Sequence, residues 1–264
     1  MPIPRRLLCI ATLFALAGAA TAQPQPCDKP VYLAFETGSM EVAPLAAVVL
    51  QRQRVRATFI GSATPTARGD SLDNTWAPWW KARGAEGHAF VSGTHDQAAW
   101  LADERAVQPH FRVRPRVGAF AGRTFTWSAA QYCDNITQAA DQLGYLSGVK
   151  PLPLFRAPGG RASPRLRAAA EACGYRHVEA SRIGFAGDGS APGAKEPTGK
   201  QIAQALARVR PGDVLLAHLG VWSREVPQVP AGLDALITGL KAQGFCFRTL
   251  REHPAYRDWI AAHP

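Results

Sequence analysis

Seven short apolar runs, rich in β-branched and aromatic residues, recur along the chain at VYLAF (31–35), RATFIG (56–61), HAFVS (88–92), LPLFRAP (152–158), YRHVEAS (175–181), DVLLAHL (213–219) and FCFRTL (245–250). Runs of this length and make-up predict strands. Between most of them the apolar positions return every three or four residues, over VAPLAAVVLQRQR, TWAPWWKARGAEG, YCDNITQAADQLGYL, SPRLRAAAEACGY, GKQIAQALARVR and PAGLDALITGLKAQG. These predict helices, and several end in glycine, as helix C-termini prefer. Strands alternating with helices predict an α/β domain on a parallel sheet, open or closed into a barrel. In either form reactive side chains gather at the C-terminal ends of the strands, where Glu36, Arg156 and His218 fall.

Two segments break the rhythm. Residues 99–127, AWLADERAVQPHFRVRPRVGAFAGRTFTW, are long for a connection and rich in arginine and aromatics, and are expected to form a lid or a groove wall. The Gly/Pro-rich FAGDGSAPGAKEPTG, 185–199, is expected to be a mobile loop. Asn135-Ile136-Thr137 matches a glycosylation sequon but lies inside a helical pattern, which argues against its use.

At the N-terminus, Arg5 and Arg6 precede an apolar stretch from Leu7 to Ala20 that ends in the small-x-small pattern Ala20-Thr21-Ala22. This predicts a signal peptide over 1–22, one domain over 23–264, and a periplasmic or secreted location. No uninterrupted apolar run reaches the roughly 20 residues a spanning helix needs, so an integral membrane protein is not expected. Four cysteines follow the leader: Cys27, Cys133, Cys173 and Cys246. In an exported chain they predict two disulfides, with three connectivities open, against the alternative of buried free thiols.

The formal net charge is +10, of which the leader carries two. Such a surplus favours anionic partners, for instance an acidic polysaccharide or a lipid headgroup surface. Arginines outnumber lysines 24 to 6 and are scattered singly, as base-composition bias would leave them. Nucleic acid is not expected, since no basic run is interleaved with aromatics.

The segment LFRAPGGRASPRLRAAAEACGY ties an arginine to a strand end and runs through a turn into a helix. It resembles the R-x-P-[YF]-G segment of the polysaccharide deacetylases, the NodB homology family or carbohydrate esterase family 4. GDVLLAHLG resembles that family's late L-L-H segment, VYLAFETG its T-F-D-D-G strand and ATFIG its second strand, so that the likeness spans about residues 31–250. The resemblance implies a distorted (β/α) barrel of about seven parallel strands. It also implies hydrolysis of acetyl groups on sugar polymers such as chitin, peptidoglycan or exopolysaccharide. In the family a divalent metal, usually zinc, is held by the second aspartate of T-F-D-D-G and two histidines of an H-[ST]-x-x-H segment. The first aspartate acts as base, the arginine orients it, and the late histidine is the general acid.

Carried over position by position, Glu36 falls on the base, Arg156 on the orienting arginine and His218 on the acid, whereas Thr37 falls on the ligand aspartate. GHAFVSGTHDQAAW, aligned through Gly87, His88 and Thr94, puts Gly93 and Gln97 where the two histidines belong. Zinc takes thiolate, imidazole or carboxylate, so no metal is expected at Thr37, Gly93 and Gln97. A two-residue shift would bring His95 and Asp96 in as substitute ligands beside Glu36, and with them a zinc-dependent deacetylase; this is the alternative expectation.

Indoles offer stacking surfaces for sugar rings. Trp76, Trp79 and Trp80 fall on a helical apolar face and are expected in the core. Trp100, Trp127 and Trp222, with Gly159 and Gly160 in the turn after Arg156, form the expected substrate-binding set. His88 is expected to be structural, and His110, His177, His253 and His263 to be solvated or capping. The chain is thus expected to bind, or act weakly on, acetylated polysaccharide or peptidoglycan, with a pocket built from Glu36, Thr37, Gly93, Gln97, Arg156 and His218 and no resident cofactor.

Overall fold

A computed structural model of the protein describes residues 27–181, 199–220 and 230–264. The leader, most of the 185–199 loop and Trp222 lie outside them. Elements follow in the order β1 Pro30–Glu36, α1 Ala43–Arg52, β2 Thr58–Gly61, α2 Ala77–Ala85, β3 Ala89–Ser92, β4 Ala99–Asp103, β5 His110–Arg114, β6 Phe125–Ser128, α3 Ala129–Ser147, β7 Leu154–Phe155, α4 Pro164–Ala172, β8 Arg176–His177, α5 Gly199–Arg208, β9 Val214–His218, α6 Pro230–Ala242, β10 Cys246–Arg248 and α7 Arg257–Ala262.

The seven predicted strands form one parallel sheet, ordered β10-β1-β2-β3-β7-β8, with β9 on the other edge of β1. Past β8 the chain returns to β9, where Ser181 N–H donates to Val214 O at 2.9 Å, so the sheet curls into a distorted barrel. Alternation along each strand separates two cores. Val31, Leu33 and Phe35 of β1 and Leu215 and Ala217 of β9 face the surrounding helices. Tyr32 and Ala34, Ile60, Val91, Leu154, and Val214 and Leu216 face the barrel interior. The same period carries Glu36 and His218 inward at the strand ends, so the alternation that builds the core also aims the polar groups.

β7 is shorter than its apolar run because Pro153 and Pro158 have no N–H to give to a ladder. α3 starts at a capping box, Gln131 N–H donating to Ser128 Oγ at 3.2 Å and Ser128 N–H to Gln131 Oε1 at 2.9 Å, and stops at Gly148 with φ +68°. Two disulfides form, Cys27–Cys246 joining the segment before β1 to β10, and Cys133–Cys173 joining α3 to the end of α4.

The inserted segment is itself a folded unit, an antiparallel sheet ordered β4-β5-β6. In β5 and just beyond, Phe111 and Val113 are buried while Arg112 and Arg114 are exposed, a period of two that marks a half-buried strand. The short helix α7 at the C-terminal end likewise was not foreseen. His177 corrects its expectation: it belongs to β8 and is buried against Phe155, where burial pushes its imidazole down to about 4.

Candidate functional site

At the C-terminal ends of the parallel strands lies a cavity of about 660 Å³, and Glu36, Thr37, Gly93, Gln97, Arg156 and His218 all line it. Its floor is apolar, Ile60 and Leu216, and its far wall is Arg116 and Val117 from just beyond β5. The inserted sheet therefore does wall the groove.

Glu36 is the centre of the charge arrangement. Arg156 Nε donates to Oε1 at 2.7 Å, and His218 Nε2 lies 2.9 Å from Oε2. Register accounts for the second contact, since Glu36 and His218 are paired positions on β1 and β9. Burial alone would raise the Glu36 carboxyl, but the hydrogen bond and charge of His218 and those of Arg156 outweigh it and hold the group below its usual range. Arg156 is itself buried and fixed by a second bond, Nη1 donating to Val178 O at 3.0 Å. Gly160 makes room for it. A Cβ at that glycine would stand 3.0 Å from the guanidinium, and its φ of +68° disfavours any other residue.

The positions of the family's metal ligands are filled by a different chemistry. Thr37 Oγ1 donates to Ser62 O at 3.1 Å and accepts from Ser62 N–H at 2.9 Å, so it splices the ends of β1 and β2. Gln97 Nε2 donates to Thr64 Oγ1 at 2.8 Å. At Gly93 the space that a side chain would enter is taken: a Cβ would collide with Ser62 Oγ and stand 3.1 Å from Gly61 O. Thr94 and Gln97 adopt left-handed backbone, φ +64° and +49°, conformations that cost non-glycine residues about 1–3 kcal/mol each. The tight turn they make returns Ala98 N–H to Thr94 Oγ1 at 2.9 Å.

The substitute ligand set does not assemble. His95 Nδ1 and Asp96 Oδ1 bond each other at 2.8 Å, and Asn135 of α3 donates from Nδ2 to Asp96 Oδ2 at 3.0 Å. Neither lines the cavity with Glu36, and among the described residues no three His, Cys, Asp or Glu side chains converge as a metal would need. The physical reason is the pull of Asn135, a buried helix residue whose amide bonds both the backbone and the side chain of Asp96. Asn135 is thereby also removed from any role as a sequon acceptor. With hydroxyl, amide and bare glycine at the three inherited points, the donors present do not fit zinc.

Among the expected substrate-binding residues, Gly159 lines the cavity and Gly160 lies beneath Arg156. Trp100 and Trp127 require correction. They pack on the buried side of the inserted sheet with Phe111 and Tyr132, and Trp100 Nε1 donates to Asp103 Oδ1 at 3.0 Å. The alternation of β4 and β6 sends them toward α3 rather than toward the cavity. Trp80 is fully buried, with Trp76 and Trp79 packed beside it, and His88 is structural, accepting from Ala57 N–H at 2.9 Å. Arg116, Ser62, Thr64 and Pro158 were missed as lining residues. For Arg116 a signal existed, the arginines at every second position of RVRPR; for the others there was none.

Among the described residues no helix is long and apolar enough to cross a membrane. A family model described as Polysaccharide deacetylase matches residues 23–178. A family 4 acetyl xylan esterase from Clostridium thermocellum, solved with cobalt, aligns at TM-score 0.62 and 19% identity, covering 87% of this chain and 92% of that one. A family 4 carbohydrate esterase from Bacillus subtilis gives TM-score 0.62 and 19% identity over 87% of this chain and 82% of that one. A family pseudoenzyme from Bacillus anthracis gives TM-score 0.58 and 15% identity over 85% and 65%. No curated protein matches. The match of the family model, which spans more than half of the sequence on a fold shared with these structures, shows that the chain belongs to the polysaccharide deacetylase family.

Proposed function

We propose that this is an exported member of the family, cleaved after a leader over 1–22, which holds acetylated cell-envelope or extracellular glycan in the strand-end cavity without zinc-dependent deacetylation. One observation carries the reading: the place where Gly93 would need an imidazole is occupied by Ser62 Oγ, while Thr37, on the ligand aspartate, is hydrogen-bonded into the backbone. The cavity, Glu36, Arg156 and His218 are present, so a glycan-sized space remains where the family's metal ligands are replaced.

Glu36 in this setting is a weak base. His218 and Arg156 hold its carboxyl below the usual range, so it is ionised and has little tendency to take a proton from ordinary water. Any residual hydrolysis would run through Glu36 and His218 alone and would be slow. The two disulfides support export, since such bonds persist in oxidising compartments. The family pseudoenzyme from Bacillus anthracis supports the idea that this fold exists without the activity.

The test is calorimetry of the chelator-washed full chain with N-acetylglucosamine oligomers, alongside an acetate-release assay. Binding without stoichiometric metal, and with acetate release no faster than the buffer blank or unchanged by chelator, is expected. Chelator-sensitive release accompanied by one equivalent of bound zinc overturns the reading.

A further inference from the structure

The outer face of the inserted sheet carries a row of arginines that ends inside the cavity. Arg112 and Arg114 project from the exposed side of β5, and the alternation of buried and exposed positions continues past the strand through buried Pro115 to exposed Arg116, which lines the cavity. Every second residue of a strand advances about 6.5 Å, which sets the spacing of Arg112 and Arg114, and Arg116 follows them at the bend beyond β5.

No acid stands directly opposite Arg112 or Arg114 on the sheet. The cross-strand partners of Arg112 are Ala102 and Thr126, and that of Arg114 is Ala99. An acid directly opposite would stabilise an arginine on an antiparallel pair; here the directly opposed residues are small and neutral. Among the described residues none of the three forms an ion pair, whereas Arg83, Arg156, Arg167 and Arg176 all do. The connection from β5 to β6 adds an exposed aromatic: Arg123 lies over the rings of Phe120 and Phe125 at 5.6 and 5.4 Å, and Phe120 is 53% exposed. In the same connection Thr124 Oγ1 accepts from Arg114 Nε at 3.3 Å.

We propose that this row binds a carboxylated polysaccharide, an acidic glycan whose chain runs along β5 and enters the cavity past Arg116. The inference rests on the glycan-binding reading above and narrows it to an anionic polymer. Charge complementarity selects carboxylate, which guanidinium recognises through paired hydrogen bonds. A row with a concave end suits a chain. A bilayer surface, being flat, would reach the outer cations but not one set in a cavity wall.

The experiment compares binding of the full chain to polygalacturonate oligomers, to the same oligomers methyl-esterified, to N-acetylglucosamine oligomers, to single-stranded DNA and to vesicles containing anionic lipid. Two triple variants accompany the native chain: Arg112→Gln/Arg114→Gln/Arg116→Gln, and a control of equal charge change on other exposed arginines, Arg68→Gln/Arg251→Gln/Arg257→Gln. The proposal expects polygalacturonate to bind best, its methyl ester to bind weakly, and affinity to fall roughly thirtyfold in the row variant against under about threefold in the control. Equal losses in the two variants overturn it, as does DNA or anionic vesicles binding more tightly than polygalacturonate through the same row. Failure of N-acetylglucosamine oligomers alone, with polygalacturonate still bound through the row, sinks the acetylated-glycan reading and leaves this one standing. Both variants touch only exposed side chains, and unchanged thermal unfolding confirms that they fold.

Discussion

Glu36 and His218 stand at paired register positions of two neighbouring parallel strands, and their side chains meet at 2.9 Å with Arg156 on the other carboxylate oxygen. The pairing makes Glu36 a counter-charge before anything else. Glu36→Gln leaves the buried Arg156 guanidinium without its anion, and we expect a loss of about 3–5 kcal/mol in urea unfolding. The double variant Glu36→Gln/Arg156→Met should lose less than the two single changes together. The sign with pH follows from the lowered carboxyl: its contribution is complete above the ordinary carboxylate range and disappears as pH falls through the lowered value. The acid limb of the stability curve should flatten in Glu36→Gln.

Rebuilding the metal seat needs a fourth change. Thr37→Asp/Gly93→His/Gln97→His restores the family's ligand types, but the new Cβ at 93 meets Ser62 Oγ. Zinc titration should show weak binding in the triple variant and about tenfold or more tighter binding once Ser62→Ala is added, one such factor corresponding to about 1.4 kcal/mol of relieved crowding. Equal zinc affinity with and without Ser62→Ala would show that the serine simply turns aside.

His88 supplies a pH-dependent element far from the cavity. Its Nδ1 accepts from Ala57 N–H, its Nε2 faces Glu86 at 3.2 Å, and burial, opposed by Glu86, brings the imidazole from 6.5 down to about 4. A histidine kept neutral in the fold stabilises fully above pH 6.5, and that contribution, about 3 kcal/mol, drains away as pH drops toward 4. Denaturation midpoints measured across this window should fall for the native chain and change less in His88→Gln.

Gly160→Ala should cost about 1–2 kcal/mol, because alanine is strained at φ +68° and its methyl group presses on Arg156. Glycan affinity should fall with it, as the displaced guanidinium loosens Glu36. Thermal unfolding together with calorimetry separates the two effects.

The disulfides differ in span. Removing Cys27–Cys246, with a sequence separation of 219, frees more unfolded-chain entropy than removing Cys133–Cys173, with a separation of 40; chain-closure arguments put the losses at about 5 and 4 kcal/mol. Paired serine variants compared in urea should rank in that order.

The fold was legible because each strand announces itself locally. VYLAF, HAFVS and DVLLAHL have the length and composition of buried strands, and the helical patterns between them have room for right-handed crossovers. The inserted sheet was not recognised, although HFRVR alternates with a period of two, because its connections looked like loop. Trp100 and Trp127 were misplaced for a related reason: an amphipathic strand shows that it has two faces but not which of them is covered by α3.

By itself the sequence determined that three ligand types are missing, since glycine, threonine and glutamine have no imidazole or carboxylate wherever they are placed. It also placed Glu36, Arg156 and His218 at the C-terminal ends of strands, but these strands are buried on both faces, so their inward direction was decided by the tertiary structure. Tertiary structure alone decided that Ser62 Oγ fills the space beside Gly93, that Asn135 draws His95 and Asp96 away from the cavity, and that Arg116 reaches into it. Each of these depends on contacts between segments distant along the chain, where packing and register choose among neighbours that local periodicity leaves equivalent.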